Sequence, residues 1–100
     1  MKQVLFSPLA SNDLEEIGDF IAKDNPDRAL TFIREIKDKC MRLAFPSAIG
    51  VPRPELAEGI RMLTHGRYLI FYRDDERAVR IERVMHGARD IGNDDFELNS

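Results

Sequence analysis

One hundred residues, 43% hydrophobic and 33% charged, suffice for one small domain with a modest core and are too apolar for a disordered chain. The net charge of −3 argues against a general nucleic-acid binder, which ordinarily carries a basic balance. A single cysteine, Cys40, forbids an intrachain disulfide and fits a reducing compartment, and no apolar stretch reaches the length of a signal-peptide core or a membrane span, so the expectation is a cytoplasmic protein without a membrane role.

Lys2 to Phe6 reads as a short first strand. Ser7-Pro8 stops it and opens a helix, serine as the cap and proline at the first helical position. Ala10, Leu14, Ile17 and Ile21 then recur at helical spacing, with Asp13, Glu15, Glu16 and Asp19 largely off that stripe. Asn25-Pro26 repeats the cap-and-proline device. The second helix carries Ala29, Ile33, Ile36, Cys40 and Leu43 on one stripe, so the two helices form an αα-hairpin. Phe45 to Pro54 is an irregular connection whose Phe45, Ile49 and Val51 are expected to pack on the core.

The last third reads as strands. Ile60 to Thr64 is short, and His65-Gly66 is a plausible two-residue turn. Tyr68 to Tyr72 is a continuous apolar run, as in a central strand covered on both sides. Asp74 to Arg77 is the next turn, and Ala78 to Met85 is the last strand. Val79 and Ile81 share a face, and Val84 returns to it only if a bulge lies near Glu82-Arg83. The order strand, helix, helix, three-strand meander indicates an α+β domain over residues 1–100, with the hairpin on one sheet face and an acidic tail from about residue 90. The expected core is Ala10, Leu14, Ile17, Ile21, Ile33, Ile36, Cys40, Leu43, Leu69 and Phe71, with Met62 and Met85 as further core residues. Two helices cannot cover everything, so one face should stay partly open to a partner.

The usual chemical signatures are absent. One cysteine and two histidines far apart in sequence make no common zinc site, no glycine-rich loop is present to cradle a phosphate, and no serine stands in a nucleophile context, so neither metal nor cofactor is expected. The distribution of charge is more informative than its sum. After Lys39 every basic side chain other than histidine is arginine, with Arg61, Arg67, Arg73, Arg77, Arg80, Arg83 and Arg89 in the strand region, followed by Asp90, Asp94, Asp95 and Glu97. Arginine offers carboxylates and phosphates a planar fork. These residues form either a surface for an anionic partner or an exposed sheet face. Arg83 interrupts an apolar strand face and serves either a partner or an ion pair with an acidic helix residue. His65 is read as a turn residue, and Tyr68 and Tyr72 as sheet packing on one face.

Gly66-Arg67-Tyr68-Leu69-Ile70-Phe71-Tyr72-Arg73 resembles the central strand of ParE-family toxins. Ile81-Glu82-Arg83-Val84-Met85-His86-Gly87-Ala88-Arg89-Asp90-Ile91 is similar to the most recognisable stretch of that family. Gly50 to Leu56 resembles its connector, and Ser7-Pro8 with Asp13 to Ile17 fits its first helix. The resemblance spans nearly the whole chain. It implies a RelE/ParE-like βααβββ fold with an αα-hairpin packed on a mainly antiparallel sheet. It also implies a type II toxin that inhibits growth by poisoning DNA gyrase, without enzymatic activity of its own or sequence-specific binding of nucleic acid. A ParD-like antitoxin would neutralise it in a hetero-oligomer. Arg61, Arg67, Arg73, Arg83, His86 and Arg89 are then the candidates for contact with target or antitoxin. The alternative is the RelE branch, ribosome-dependent mRNA endonucleases, which needs a general base, a general acid and cations, roles in which Glu82, His86 and arginines such as Arg83 could be cast. That branch usually adds lysines, or a histidine and a tyrosine, near the C-terminus. This chain has neither lysine nor tyrosine after Tyr72, and its acidic tail would repel RNA. A toxin-fold protein that has lost toxicity and acts only as a binding partner is the third reading.

Overall fold

The computed structural model describes residues 2–45 and 50–96. Strand β1 (Gln3–Phe6) leads into α1 (Pro8–Ala22) and α2 (Pro26–Met41), and a single 3-10 turn, Arg42–Ala44, follows. Then come β2 (Val51–Pro52), β3 (Arg61–His65), β4 (Tyr68–Asp74) and β5 (Ala78–His86), and a second 3-10 turn at Asn93–Asp95. The five strands form one sheet in the order β1-β5-β4-β3-β2. All neighbours are antiparallel except β1, which lies parallel to β5 from Gln3 opposite Ala78 to Phe6 opposite Ile81. The expected α+β architecture, a helical hairpin on a mostly antiparallel sheet, is what forms.

Both helices start as their sequences predict. Ser7 Oγ accepts from the Ala10 amide at 3.0 Å, Asn25 Oδ1 accepts from the Arg28 amide at 3.0 Å, and each cap is followed by proline. The apolar stripes of the hairpin then close over one sheet face, with Ala10, Leu14, Ile17, Ile36, Cys40 and Leu43 meeting Ile70, Tyr72, Val79, Ile81 and Val84. Phe32, off the predicted stripe, joins this core as well.

Phe71 and, in part, Leu69 belong to the core as expected, on the sheet face away from the helices, and three other expectations need correction. The register sets Ile70 opposite Val84 and Tyr72 opposite Ile81 on the helical side, so Phe71 turns to the other face and is buried with Leu56, Ile60, Met85 and Phe96. A run that is apolar at every position carries no phase, so only the pairing could decide it. The β3–β4 turn is Gly66-Arg67, with Gly66 at φ +59°, while His65 pairs with Tyr68 inside the sheet. Phe45 and Val51 do not pack inward, being 53% and 59% exposed; Leu43 and Ala44 take the buried places, and Ile49 lies outside the described residues. The connector also contributes β2, an edge strand in which proline's missing N–H costs no ladder bond.

The bulge falls where the phase slip of β5 places it. Phe71 pairs with Arg83 and Tyr72 with Ile81, which leaves Glu82 as the extra residue and returns Val84 to the helical face.

Candidate functional site

β1 is only four residues long and covers β5 no farther than Ile81. Beyond that point the backbone of β5 needs other partners, and the start of α1 supplies them. The Ser7 amide donates to the Ile81 carbonyl at 2.9 Å and Ser7 Oγ donates to the Glu82 carbonyl at 2.8 Å. The Val84 amide donates to Asp13 Oδ2 at 3.0 Å. The same carboxylate receives Arg83 as a two-pronged pair, Nε at 2.8 Å and Nη2 at 2.9 Å. Asp13 is therefore only 7% exposed, against the expectation that it lies off the packed stripe. Its hydrogen bonds raise the proton affinity of the Arg83 guanidinium above the ordinary arginine value, outweighing the opposing effect of burial.

Most of the remaining candidate residues also have internal partners. Arg73 Nη1 binds Glu82 Oε2 at 2.9 Å while its Nε donates to the Glu58 carbonyl at 3.1 Å, and Glu82 is 8% exposed. Arg61 Nη1 donates to the Gly50 carbonyl at 2.7 Å, and Arg89 Nη2 donates to Asp95 Oδ1 at 2.8 Å. Gly50 lies so close to the sheet that an added Cβ would stand 2.6 Å from the Met62 carbonyl oxygen, and its amide donates to the buried Tyr72 hydroxyl at 2.6 Å. Arg67 sits exposed in the turn, its carbonyl accepting from the Gly87 amide at 2.7 Å; its side chain has no hydrogen-bond partner among the described residues. His86 Nδ1 accepts from the Ala88 amide at 3.0 Å, which in the neutral ring leaves the proton on Nε2. Among the described residues no hydrogen bond or ion pair joins Glu82, Arg83 and His86 to one another.

Sequence reasoning missed a cluster at the far end of the sheet. His65 is paired with Tyr68 across the β3–β4 turn, and Tyr68 with the distant His86, so the three side chains stand in one cross-strand row. Tyr68 meets the edge of the His86 ring at 5.1 Å between centroids, and Phe32 packs on both Tyr68 and His65. Arg28 lies 5.0 Å over the Phe32 ring and binds Glu35 at 2.7 Å, and Glu35 reaches His65 Nε2 at 3.0 Å. Arg28 first and His65 second hold the Glu35 carboxyl below its ordinary value. Nothing in the local pattern around His65 signalled this, since Glu35 and Phe32 come from α2 and His86 joins the row only through Tyr68.

A groove of about 1010 Å³ runs between the two helices and reaches Phe6 of β1. Leu14, Gly18 and Ala22 of α1 and Ala29, Leu30 and Ile33 of α2 line its apolar floor. Its rim is charged, with Glu15 and Asp19 on the α1 side and Arg34, Lys37 and Asp38 on the α2 side.

Two helices on one face of a five-stranded, mostly antiparallel sheet make this a protein of the RelE/ParE-like toxin fold. It superposes on the chromosomal ParDE toxin–antitoxin system from P. aeruginosa with a TM-score of 0.72 at 24% identity, covering 86% of this chain and 96% of that one. It superposes on the toxin–antitoxin complex RelBE2 of Mycobacterium tuberculosis with a TM-score of 0.63 at 24% identity, covering 85% and 96%. For YafQ from E. coli the TM-score is 0.59 at 16% identity, covering 88% and 96%. The family model described as the ParE toxin of type II toxin–antitoxin system, parDE, matches residues 4–91. Toxin ParE1 from two Mycobacterium tuberculosis strains, CDC 1551 / Oshkosh and H37Rv, is 34% identical over 89 residues, 87% of this chain and 91% of theirs. The chain belongs to the ParE toxin family of type II toxin–antitoxin systems.

Proposed function

We propose that this toxin acts in the cytoplasm by binding and poisoning DNA gyrase, without an enzymatic activity of its own, and that a ParD-like antitoxin neutralises it. The observation that carries this reading is the state of the three side chains an RNA-cleaving mechanism would draw on. A general acid and base must reach the substrate, and a cation must face the developing phosphorane charge. Here Arg83 is clamped by Asp13, Glu82 is buried against Arg73, and His86 Nδ1 is occupied by a backbone amide. Such residues shape a surface and hold the end of the sheet. Of the five arginines among the candidates, Arg67 is the exposed one without a side-chain hydrogen-bond partner among the described residues, and it is left as the candidate for target contact.

The hairpin groove supports the antitoxin assignment. An apolar floor between two charged rims fits one amphipathic helix, read at positions i, i+3, i+4 and i+7. Leu30, largely exposed at its edge, is the kind of side chain that a partner covers.

The test is supercoiling by purified gyrase with added toxin, run beside translation in a cell-free extract. Inhibited supercoiling or trapped cleaved DNA, with mRNA intact, is the expected result. Cleaved mRNA with gyrase unaffected overturns it in favour of RelE-type cleavage, for which the His65–Tyr68–His86 row is a concentration of suitable groups among the described residues. If neither assay responds, the chain is a toxin fold acting only as a binding partner.

A further inference from the structure

The sheet face opposite the helices was expected to stay partly open, yet the chain's own last described residues lie on it. After β5 the chain turns at Gly87, and residues 91–96 fold back across Phe71 and Met85. Phe96 is 7% exposed and meets Phe71 edge to face at 5.1 Å between centroids, with Leu56, Ile60 and Met85 in the same cluster. Beside it Asp95 is held between two arginines, its Oδ1 2.8 Å from Arg89 Nη2 and 3.8 Å from Arg83 Nη1. Arg83 Nη1 also donates to the Asp95 carbonyl at 3.4 Å.

Two features separate this strap from the rest of the fold. Its backbone hydrogen bonds are local, from the Asp95 amide to the Gly92 carbonyl and from the Phe96 amide to the Asn93 carbonyl, and none enters the sheet ladder. What it rests on is built independently of it. Arg83 is oriented by Asp13, and Phe71 is fixed by its place in β4 between β3 and β5. Lifting the strap therefore leaves a formed cradle with an apolar pocket, a spare N–H of Arg83 and the uncompensated charge of Arg89.

We propose that this cradle is a second docking site, distinct from the helical groove, and that residues 91–96 are its built-in occupant. It accepts a partner protein's segment that carries a carboxylate immediately before an aromatic ring. The spacing follows from the present occupant, Asp95 on the arginines and Phe96 in the pocket. The charge follows from Arg89, whose described ion-pair partner is Asp95. An entering segment competes with a tethered one, whose effective concentration is of millimolar order. The natural partner therefore also binds elsewhere on the molecule. The inference does not depend on whether gyrase is the target.

The test uses the full chain and a labelled peptide of its own residues Ile91–Phe96, followed by fluorescence anisotropy. Phe96→Ala removes the strap's anchor and leaves the cradle, so it should bind the peptide at least about tenfold more tightly than the wild-type chain. Arg89→Glu in that background should abolish binding, and a peptide with lysine in place of the aspartate next to phenylalanine should restore it. Equal binding to the wild-type and Phe96→Ala chains, or none to either, overturns the proposal. So does indifference to the Arg89 charge swap. Should Phe96→Ala fail to melt cooperatively, Asp95→Asn serves instead. It frees the arginines while keeping the core, and equal binding to it and the wild-type chain is equally fatal.

Discussion

On the face turned to the helices, Ile70, Tyr72, Val79, Ile81 and Val84 meet side chains from two capped helices with continuous stripes. On the other, Phe71 and Met85 meet Leu56, Ile60 and Phe96, which come from segments with no regular structure beyond a single 3-10 turn. The first cover is held by area and by helices that the chain specifies locally. The second is held by one aromatic ring and by arginines that reach across to carboxylates. Apolar burial is non-directional and survives small shifts, whereas paired charges depend on geometry and on both partners being present. The two faces should therefore fail differently.

Arg83 joins them, with Asp13 of α1 on one side and Asp95 of the strap on the other. Asp13→Ala is the change expected to cost most, about 3–5 kcal/mol by chemical denaturation, because it leaves a nearly buried guanidinium without its partner and the Val84 amide without an acceptor. A loss below about 1 kcal/mol would show that the faces are held independently. Ile36→Ala, in the centre of the helical face, should cost roughly 2–5 kcal/mol. Phe96→Ala should cost about 2 kcal/mol, near the burial value of one aromatic side chain, because the end of a strap can relax into the space. Hydrogen exchange sharpens the contrast. Ile36→Ala should speed exchange throughout the sheet, and Phe96→Ala only around the strap.

Two smaller effects depend on pH. Burial on the helical face pushes the Cys40 thiol up from 9.0 to about 12. The unfolded chain then loses this proton before the folded one does, so Cys40's contribution is intact below pH 9.0 and is lost as pH rises from there toward about 12. A thiol reagent at pH 8 should label Cys40 only as fast as the chain unfolds, and native-rate labelling would contradict its burial. The smallest effect lies at the acid end. Glu35 is held below its ordinary 4.5, so the unfolded state binds the extra proton and the contribution, complete above that pH, fades as pH falls through it. Glu35→Gln should lower stability slightly near neutrality and flatten this part of its acid titration.

The same contrast explains what the sequence made legible. Helix starts at Ser7-Pro8 and Asn25-Pro26, the stripes they open and the slipped phase of β5 are local, and each was readable without a partner. The burial of Asp13 was not. It follows from β1 ending at Phe6, which leaves the Val84 amide, 71 residues from Asp13, without a strand partner, and nothing around Asp13 announces that need. The direction of Phe71 was hidden because its neighbours are apolar too, and the His65–Tyr68–His86 row exists only once the strands are in register. Of the arginines read as a partner surface, Arg61, Arg73, Arg83 and Arg89 bind within the chain. A count of charges could not separate them from Arg67, Arg77 and Arg80, which are exposed and have no side-chain hydrogen-bond partner among the described residues.

The parallel seam between β1 and β5 gives the molecule an order in time. The strand that opens this fold has its ladder partner in the strand that closes it, since Gln3 waits for Ala78 and Phe6 for Ile81. The capped hairpin can form as soon as its own residues emerge, because its contacts are local. The sheet cannot close until nearly the whole chain has been made. A nascent chain stopped before Ala78 thus holds two helices whose apolar stripes have no sheet beneath them and a first strand without a neighbour. Such a fragment exposes surface of the kind chaperones and proteases recognise, so the fold itself confines any finished activity to chains that include β5.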